Sequence, residues 1–173
     1  MSIIESERLV LRELELNDAP FILQLLNEAS FLRFIGDKGV RTLADARDYI
    51  EKGPRDSYRR LGFGLYLTSL RDSGVAAGIC GLVKRETLAD ADIGYAFLPQ
   101  HRSKGYATEA AAAVLAHAKL SLRLDRVVAI TSHDNHASVA VLEKIGLVFE
   151  RTVKLTADGP ELKLFGCGSW PDP

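Results

Sequence analysis

Residues 92–120 run without a break from an apolar strand candidate, "DIGYAFL", through a basic glycine turn, "PQHRSKG", into an alanine-rich helix, "YATEAAAAVLAHAKL". A strand that turns directly into a helix has to pack that helix back on its own sheet, which commits the chain to an α/β layer arrangement. The charge at the helix start is unusual. Free N–H groups and aligned peptide dipoles make that end electropositive and favour acidic residues. Here Arg102, Ser103, Lys104, Gly105 and Tyr106 lead in, with the small residues Ala107 and Thr108 behind them. Amides that converge around such a glycine form a nest for an anion, and a diphosphate fits it. In isolation, a solvated basic turn would read the same. A Walker loop needs G-x-x-x-x-G-K-[ST] and a Rossmann fingerprint three glycines, and neither pattern is present.

The surrounding segments extend the α/β reading. "SERLVLREL" (6–14) is a strand candidate. "NDAPFILQLLNEA" (17–29) predicts a helix capped by Asn17 or Asp18, with Pro20 in its first turn and Ile22, Leu25, Leu26 and Ala29 on one face. "TLADARDYI" opens a helix at Thr42, with Asp45 completing a capping box. "GFGLYLTSL" and "VAAGICGLV" flank the turn "RDSG" (71–74) and read as a hairpin. "RVVAITS" (126–132) is a buried strand, "NHASVAVLEKIG" (135–146) a helix stopped by Gly146, and "LVFERTVKL" with "ELKLFGC" a final strand pair. The expectation is a single domain over 1–173, a mixed sheet with helices on its faces, and an irregular tail from about residue 168.

Composition narrows the function. With 173 residues the chain can bury a substantial core. A formal charge of -1, from 22 basic and 23 acidic residues, argues against general nucleic-acid or membrane attraction. No apolar run approaches the roughly 20 residues needed to span a bilayer. Cys80 and Cys167 lie far apart without metal-ligand spacing, so free thiols, a cytoplasmic location and no metal are expected.

Two motifs together are more specific than either alone. R-x-x-G-x-A (Arg102, Gly105, Ala107) is followed by N-x-x-S-x-x-x-L-E-K-x-G from Asn135 to Gly146. The pair resembles the GCN5-related N-acetyltransferase (GNAT) superfamily. "ESERLVLREL", "DIGYAFLPQHRSKGYATEA" and "VLEKIGLVFE" resemble the branch containing the ribosomal-protein N-terminal acetyltransferases RimJ and RimL, over roughly residues 6 to 166. The resemblance implies a GNAT fold, with a mostly antiparallel twisted sheet, helices on both faces and splayed central strands. It implies acetyl-CoA as co-substrate, its pyrophosphate on the backbone amides from Arg102 through Thr108. The pantetheine would lie like an added strand along the backbone of Tyr95, Phe97 and Leu98, where a bulge opens the slot. Asn135 would contact the pantetheine or the substrate side. The acceptor is a primary amine, either a protein N-terminus or a small molecule, and the protein a monomer or homodimer.

Direct transfer needs a neutral amine, a donor for the oxyanion near Ala96 or Phe97, and an acid for the departing thiolate. The family's helical tyrosine acid maps to Leu142, which leaves that role vacant. Ser138 is the substitute: it shares a face with Val141, Leu142 and Ile145, and a serine on an apolar face needs a partner or a function. Water is the alternative acid. Asp92 is the candidate base, with Glu86 and Asp90 nearby and a water chain as the alternative. Arg33, Asp37, Arg41 and Tyr58 are placed by fold analogy to read acceptor charge. A non-catalytic acyl-CoA sensor of the same fold would keep the nest without the reaction, and a nucleotide-binding module would use it for other phosphates.

Overall fold

The computed structural model describes residues 2–167, so the tail expected to be irregular lies outside the described residues. Eight strands form one sheet: β1 (Ser2–Glu5), β2 (Leu9–Arg12), β3 (Leu65–Leu70), β4 (Ala76–Val83), β5 (Ala91–Phe97), β6 (Val127–Ser132), β7 (Val148–Val153) and β8 (Leu162–Gly166). Their order is β1-β2-β3-β4-β5-β6-β8-β7. Only the central β5–β6 pair is parallel. Among the described residues the α-helices are α1 (Ala19–Leu26), α2 (Ala29–Phe34), α3 (Leu43–Ile50), α4 (Asp56–Leu61), α5 (Tyr106–Leu120) and α6 (His136–Lys144).

Two apolar layers sandwich the sheet. On one face α5 buries Ala110, Ala111, Val114, Leu115 and Ala118, joined by Leu142 of α6 and by Cys80, Leu82, Ile93 and Phe97 of the central strands. Alanine on the buried stripe lets α5 lie close to the strands. On the other face Ile22, Leu25 and Leu26 of α1 pack with Ala46 and Ile50 of α3 over Leu67 and Ile79.

Several elements differ from the sequence expectation. The first strand is shorter than 6–14, and β1 pairs antiparallel with it. The helix expected over 17–29 stops at Leu26. There the Asn27 side chain donates to Leu23 O and to Val40 O, both at 2.8 Å, which substitutes local bonds for the next helical turn. Ala29 therefore opens α2 and is exposed instead of sharing the α1 face. The capping box of α3 forms in both directions between Thr42 and Asp45. That helix then runs through a π turn (Glu51–Arg55) into α4, because Pro54 supplies no N–H for the regular ladder.

Candidate functional site

β5 meets β6 only at Ala91↔Val127 and Asp92↔Val128. Past that point β5 stays in register with β4 to Phe97, and β6 stays with β8 to Ser132. The sheet therefore opens into a slot with a bare edge of β5 along one side. The bulge expected in this strand is absent. The irregularity lies in β4, where Thr68↔Gly78 and Ser69↔Ala76 skip Ala77. The Leu98 N–H donates to that Ala77 O at 3.0 Å. Strand alternation then turns the N–H groups of Tyr95 and Phe97 to the open edge and that of Ala96 toward β4. Leu98, expected to join the edge, has its amide spent and its side chain buried among the α1–α3 residues.

At the open end of the slot the chain turns into α5. Ser103 (φ 58) and Gly105 (φ 80) both adopt the left-handed conformation, and Gly105 is the N-cap. No side chain caps α5, and among the described residues the N–H groups from Ser103 to Thr108 have no protein acceptor. Glu109 could have capped them, but it is held aside. Its Oε1 accepts from Ser6 Oγ (2.7 Å) and Arg8 N (2.8 Å), and its Oε2 from Arg8 Nε (2.6 Å). The result is a cradle of converging donors with the geometry for a polyanion. Lys104 and the half-buried Tyr106 flank it, with Ala107 and Thr108 in the first turn.

One of the two cations the motif suggested is turned away from the nest. The Arg102 guanidinium points back into the protein: Nε donates to Phe97 O at 2.9 Å and Nη2 to Glu28 Oε2 at 2.6 Å. Its amide closes a short turn on Pro99 O. Glu28 is pulled down to about 2, first by the Ser30 hydroxyl and then by Arg102. Arg8 takes the place at the nest. Its Nη1 donates to Lys104 O at 2.9 Å, and the guanidinium carbon lies 4.7 Å from the Tyr106 ring centroid. Its Nη2 has no partner among the described residues and lies 3.2 Å from where a Cβ on Gly105 would stand. Arg8 sits in "ESERLVLREL", which offered no local signal of a site nearly a hundred residues away.

Tyr95 reaches across the slot on the α5–α6 face. Its hydroxyl lies 2.9 Å from Ser138 Oγ and 3.2 Å from Ser138 O. Burial pushes the Tyr95 phenol up to about 12, partly offset by the Ser138 bond, so it stays protonated. Ser138 Oγ is thus turned to the strand and not into its own helical turn. Asn135 Oδ1 accepts from Ser138 N at 3.2 Å and caps α6. Leu142 is buried in the core, and Cys80, opposite Tyr95 in the ladder, carries a thiol that burial pushes far up.

Asp92, Gly94 and Ala96 face the other side, toward α1–α3. Asp92 is 1% exposed. Arg85 Nε donates to its Oδ1 (3.2 Å) and Oδ2 (3.3 Å). Burial lifts Asp92 to about 6, and the Arg85 charge only partly opposes that. Asp90 is paired with Arg126 at 3.1 Å. The residues expected to read acceptor charge are engaged elsewhere: Arg33 with Asp134, Arg41 with Asp37, and Tyr58 with Leu65 O and Leu14 N. Among the described residues no group of three or more His, Cys, Asp or Glu converges for a metal, and no helix is long and apolar enough to cross a membrane.

Known proteins share this fold. A family model described as the acetyltransferase (GNAT) domain matches residues 8–148. The uncharacterized N-acetyltransferase YnaD of Bacillus subtilis is 29% identical over 144 residues, 83% of this chain and 81% of that protein. RimL, the ribosomal L7/L12 alpha-N-protein acetyltransferase solved with coenzyme A, superposes with a TM-score of 0.82 at 22% identity, covering 96% of this chain and 97% of that one. The microcin C7 self-immunity acetyltransferase MccE, solved with acetyl-CoA and AMP, gives 0.78 at 18%, with coverages of 93% and 92%.

Proposed function

Because the chain belongs to the GNAT acetyltransferase family and is therefore an acetyltransferase that uses acetyl-CoA, we propose that it transfers acetyl directly to a primary amine across the β5–β6 slot, with acid and base on opposite faces of the sheet. The carrying observation is the continuity of three features: the unpartnered amides at α5, the open edge of β5, and the Tyr95–Ser138 pair beside it. The nest from Ser103 to Thr108 would take the diphosphate, with Arg8 and Lys104 adding charge. The backbone of Tyr95 and Phe97 would take the pantetheine as an added strand. The Phe97 N–H is the donor aimed at the developing oxyanion.

The amine nitrogen forms a bond to the thioester carbon, the C–S bond breaks, and the CoA thiolate leaves. Ser138 donates to that thiolate and is resupplied by the Tyr95 hydroxyl, which recovers a proton from solvent while Asp92 releases the amine proton there, so a strand tyrosine covers the role that Leu142 leaves empty. On the other face Asp92, at about 6, is ionised at neutral pH and accepts the amine proton directly or through water. The acceptor is a small amine or a protein N-terminal amine. The RimL-like reading rests on the motifs and on a fold shared at 22% identity.

The test is release of CoA thiol from acetyl-CoA with and without an amine panel. Release should depend on amine, and Ser138→Ala should lower kcat roughly 10- to 100-fold at unchanged acetyl-CoA affinity, as expected for loss of a positioned acid. An unaltered kcat would give the acid role to water.

A further inference from the structure

The two strand ends that part at the wide mouth of the slot are tied together by α2. β5 and β6 run parallel from Asp92 and Val128, so Phe97 and Ser132 both lie at that mouth. Just before α2, Glu28 Oε2 accepts from Arg102 Nη2 at 2.6 Å, and Arg102 Nε donates to Phe97 O at 2.9 Å. Those bonds fix the start of α2 to the end of β5. In the last turn of α2, Arg33 Nη2 donates at 3.0 Å to Oδ2 of Asp134, which sits in the turn between β6 and α6. Between the two anchors Phe31 is buried with Leu98 among the α1–α3 residues, so this crosspiece lies on the same face as Asp92.

The two anchors are unequal. Glu28 also accepts from the Ser30 amide (3.0 Å) and the Ser30 hydroxyl (2.7 Å), and its side chain is largely shielded. Arg33 and Asp134 share a single contact, and their side chains are 67% and 59% exposed. An ion pair that open is weak and easily exchanged. Once released, Arg33 has another place to rest, because its guanidinium carbon already lies 4.7 Å from the Phe34 ring centroid. Beyond α2, Gly36 and Gly39 stand at φ +114 and +71, with no atom within 4 Å of where a Cβ would be. No neighbour restrains the chain at those two positions.

A primary amine reaches this mouth as an ammonium, since such amines titrate at about 8 to 10.4. It has to be held there before Asp92 can take its proton. The bond from Arg33 keeps Asp134 below the usual carboxylate range, so Asp134 is ionised at neutral pH. We propose that Asp134 is the docking carboxylate for the acceptor ammonium, and that the incoming cation takes it from Arg33. Glu28, the other carboxylate of the crosspiece, is committed to Arg102 and Ser30, which leaves Asp134 as the exchangeable one. The exchange favours amines that are charged in solution over neutral ones, and it frees the Arg33 end of α2 as the acceptor enters. The inference rests on the proposed entry of the amine from this face.

The experiment is calorimetric binding at pH 7 to the full chain saturated with CoA. The probes are benzylamine, 1,3-diaminopropane and a short neutral peptide amide with a free N-terminus, with benzyl alcohol as the uncharged control. Arg33→Gln removes the competing cation and should tighten at least one amine about two- to five-fold. Asp134→Asn removes the docking group and should weaken the same amine by a similar factor. Benzyl alcohol should not distinguish the variants. Exchange replaces one ion pair by another, so the parent should respond little to salt between 50 and 500 mM, whereas Arg33→Gln gains a pair and should weaken. Both side chains are exposed, so neither substitution threatens the fold. The proposal is overturned if both substitutions shift the amine in the same direction, as a strap that only blocks the mouth would. It is equally overturned if neither shifts it beyond about 1.5-fold, or if no amine binds. Thiol release from acetyl-CoA with the same amines runs in parallel. Opposite shifts without release would sink direct transfer and keep the docking carboxylate; release with affinities indifferent to both substitutions would do the reverse. Should CoA itself fail to bind, the same shifts are read on the free chain.

Discussion

On the α5–α6 face of the slot, the nest comes from one continuous stretch, Ser103 to Thr108, and the Tyr95–Ser138 contact from the strand and helix either side of it. On the α1–α3 face, Asp92 of β5 is held by Arg85 from the β4–β5 connection, and Tyr49 of α3 borders a separate cavity with Leu65 and Lys84. Charge is also handled differently. The first face keeps neutral backbone donors at its centre and turns its carboxylate, Glu109, against Arg8 at the rim. The second holds a buried carboxylate against Arg85, whose two terminal amino groups have no protein partner among the described residues. Donors set by one turn are placed by local backbone conformation, whereas a buried carboxylate and its arginine are brought together only by the fold.

The largest expected effect breaks the first face. Gly105 stands at φ +80, where any side chain is strained by about 1–2 kcal/mol, and a Cβ would crowd Arg8 Nη2. Gly105→Val should therefore weaken CoA binding at least about 100-fold by closing the cradle that the phosphates enter. The exposed turn should tolerate the change, so the urea midpoint should fall only modestly. Calorimetric CoA affinity beside a denaturation curve decides it, and retained affinity in a folded variant would remove the nest from the mechanism.

The next effect belongs to the second face and reads out in stability. The Asp92 carboxyl is raised from its ordinary 3.8 to about 6, chiefly by burial. The folded state then holds the proton more tightly than the unfolded chain. The corresponding stability is present below about pH 4 and is lost as pH rises through 6, on the order of 2–3 kcal/mol at 1.36 kcal/mol per unit. Glu28, lowered from 4.5 to about 2, has the opposite sign: its contribution is present above pH 4.5 and is lost as pH falls toward 2. Urea midpoints measured from pH 3 to 8 should separate them. Asp92→Asn flattens the limb between 4 and 6, and Glu28→Gln the limb below 4.5. Parallel curves for Asp92→Asn and the parent would mean that Asp92 is ionised throughout and that its pairing with Arg85 outweighs burial.

The same contrast explains what could be read from the sequence. The strand–turn–helix of 92–120, the α3 capping box and the hairpin at 71–74 are local, since each depends on residues within a few positions of one another. They were legible, and with them the nest and the facing of Ser138. The partition of residues 17–34 into two helices was not, because it turns on Asn27 reaching the Val40 carbonyl across a loop. The opening of the slot was legible only through the resemblance, and its cause was misplaced. No pattern in "DIGYAFL" tells that β6 will stay with β8 while β5 stays with β4. The pairing of the cations on the α1–α3 side was beyond reach for the same reason. Arg33 and Arg41 look as available as Arg85 until their partners Asp134 and Asp37 are seen beside them.

Arg8 and Arg102 sharpen the comparison within the first face, with the smallest expected effect. Both are near α5, but one is poised and the other spent. Arg8 is anchored through Nε to Glu109 and through Nη1 to Lys104 O, leaving Nη2 at the nest. Arg102 gives its side-chain bonds to Phe97 O and Glu28. The Arg8 side chain is 45% exposed. Solvent screening therefore limits its worth to about 1 kcal/mol, and Arg8→Gln should raise the CoA Kd about five-fold. That difference should shrink between 50 mM and 500 mM salt, as for any exposed charge pair. Arg102→Gln should act instead on the frame, lowering the urea midpoint and changing CoA affinity with little salt dependence. If Arg102→Gln gave the larger and more salt-sensitive loss of affinity, its side chain would have to swing off Glu28 when the phosphates arrive. The closed ion pair at the rim would then be a latch that the ligand opens, and the low pKa of Glu28 would mark what the ligand has to displace.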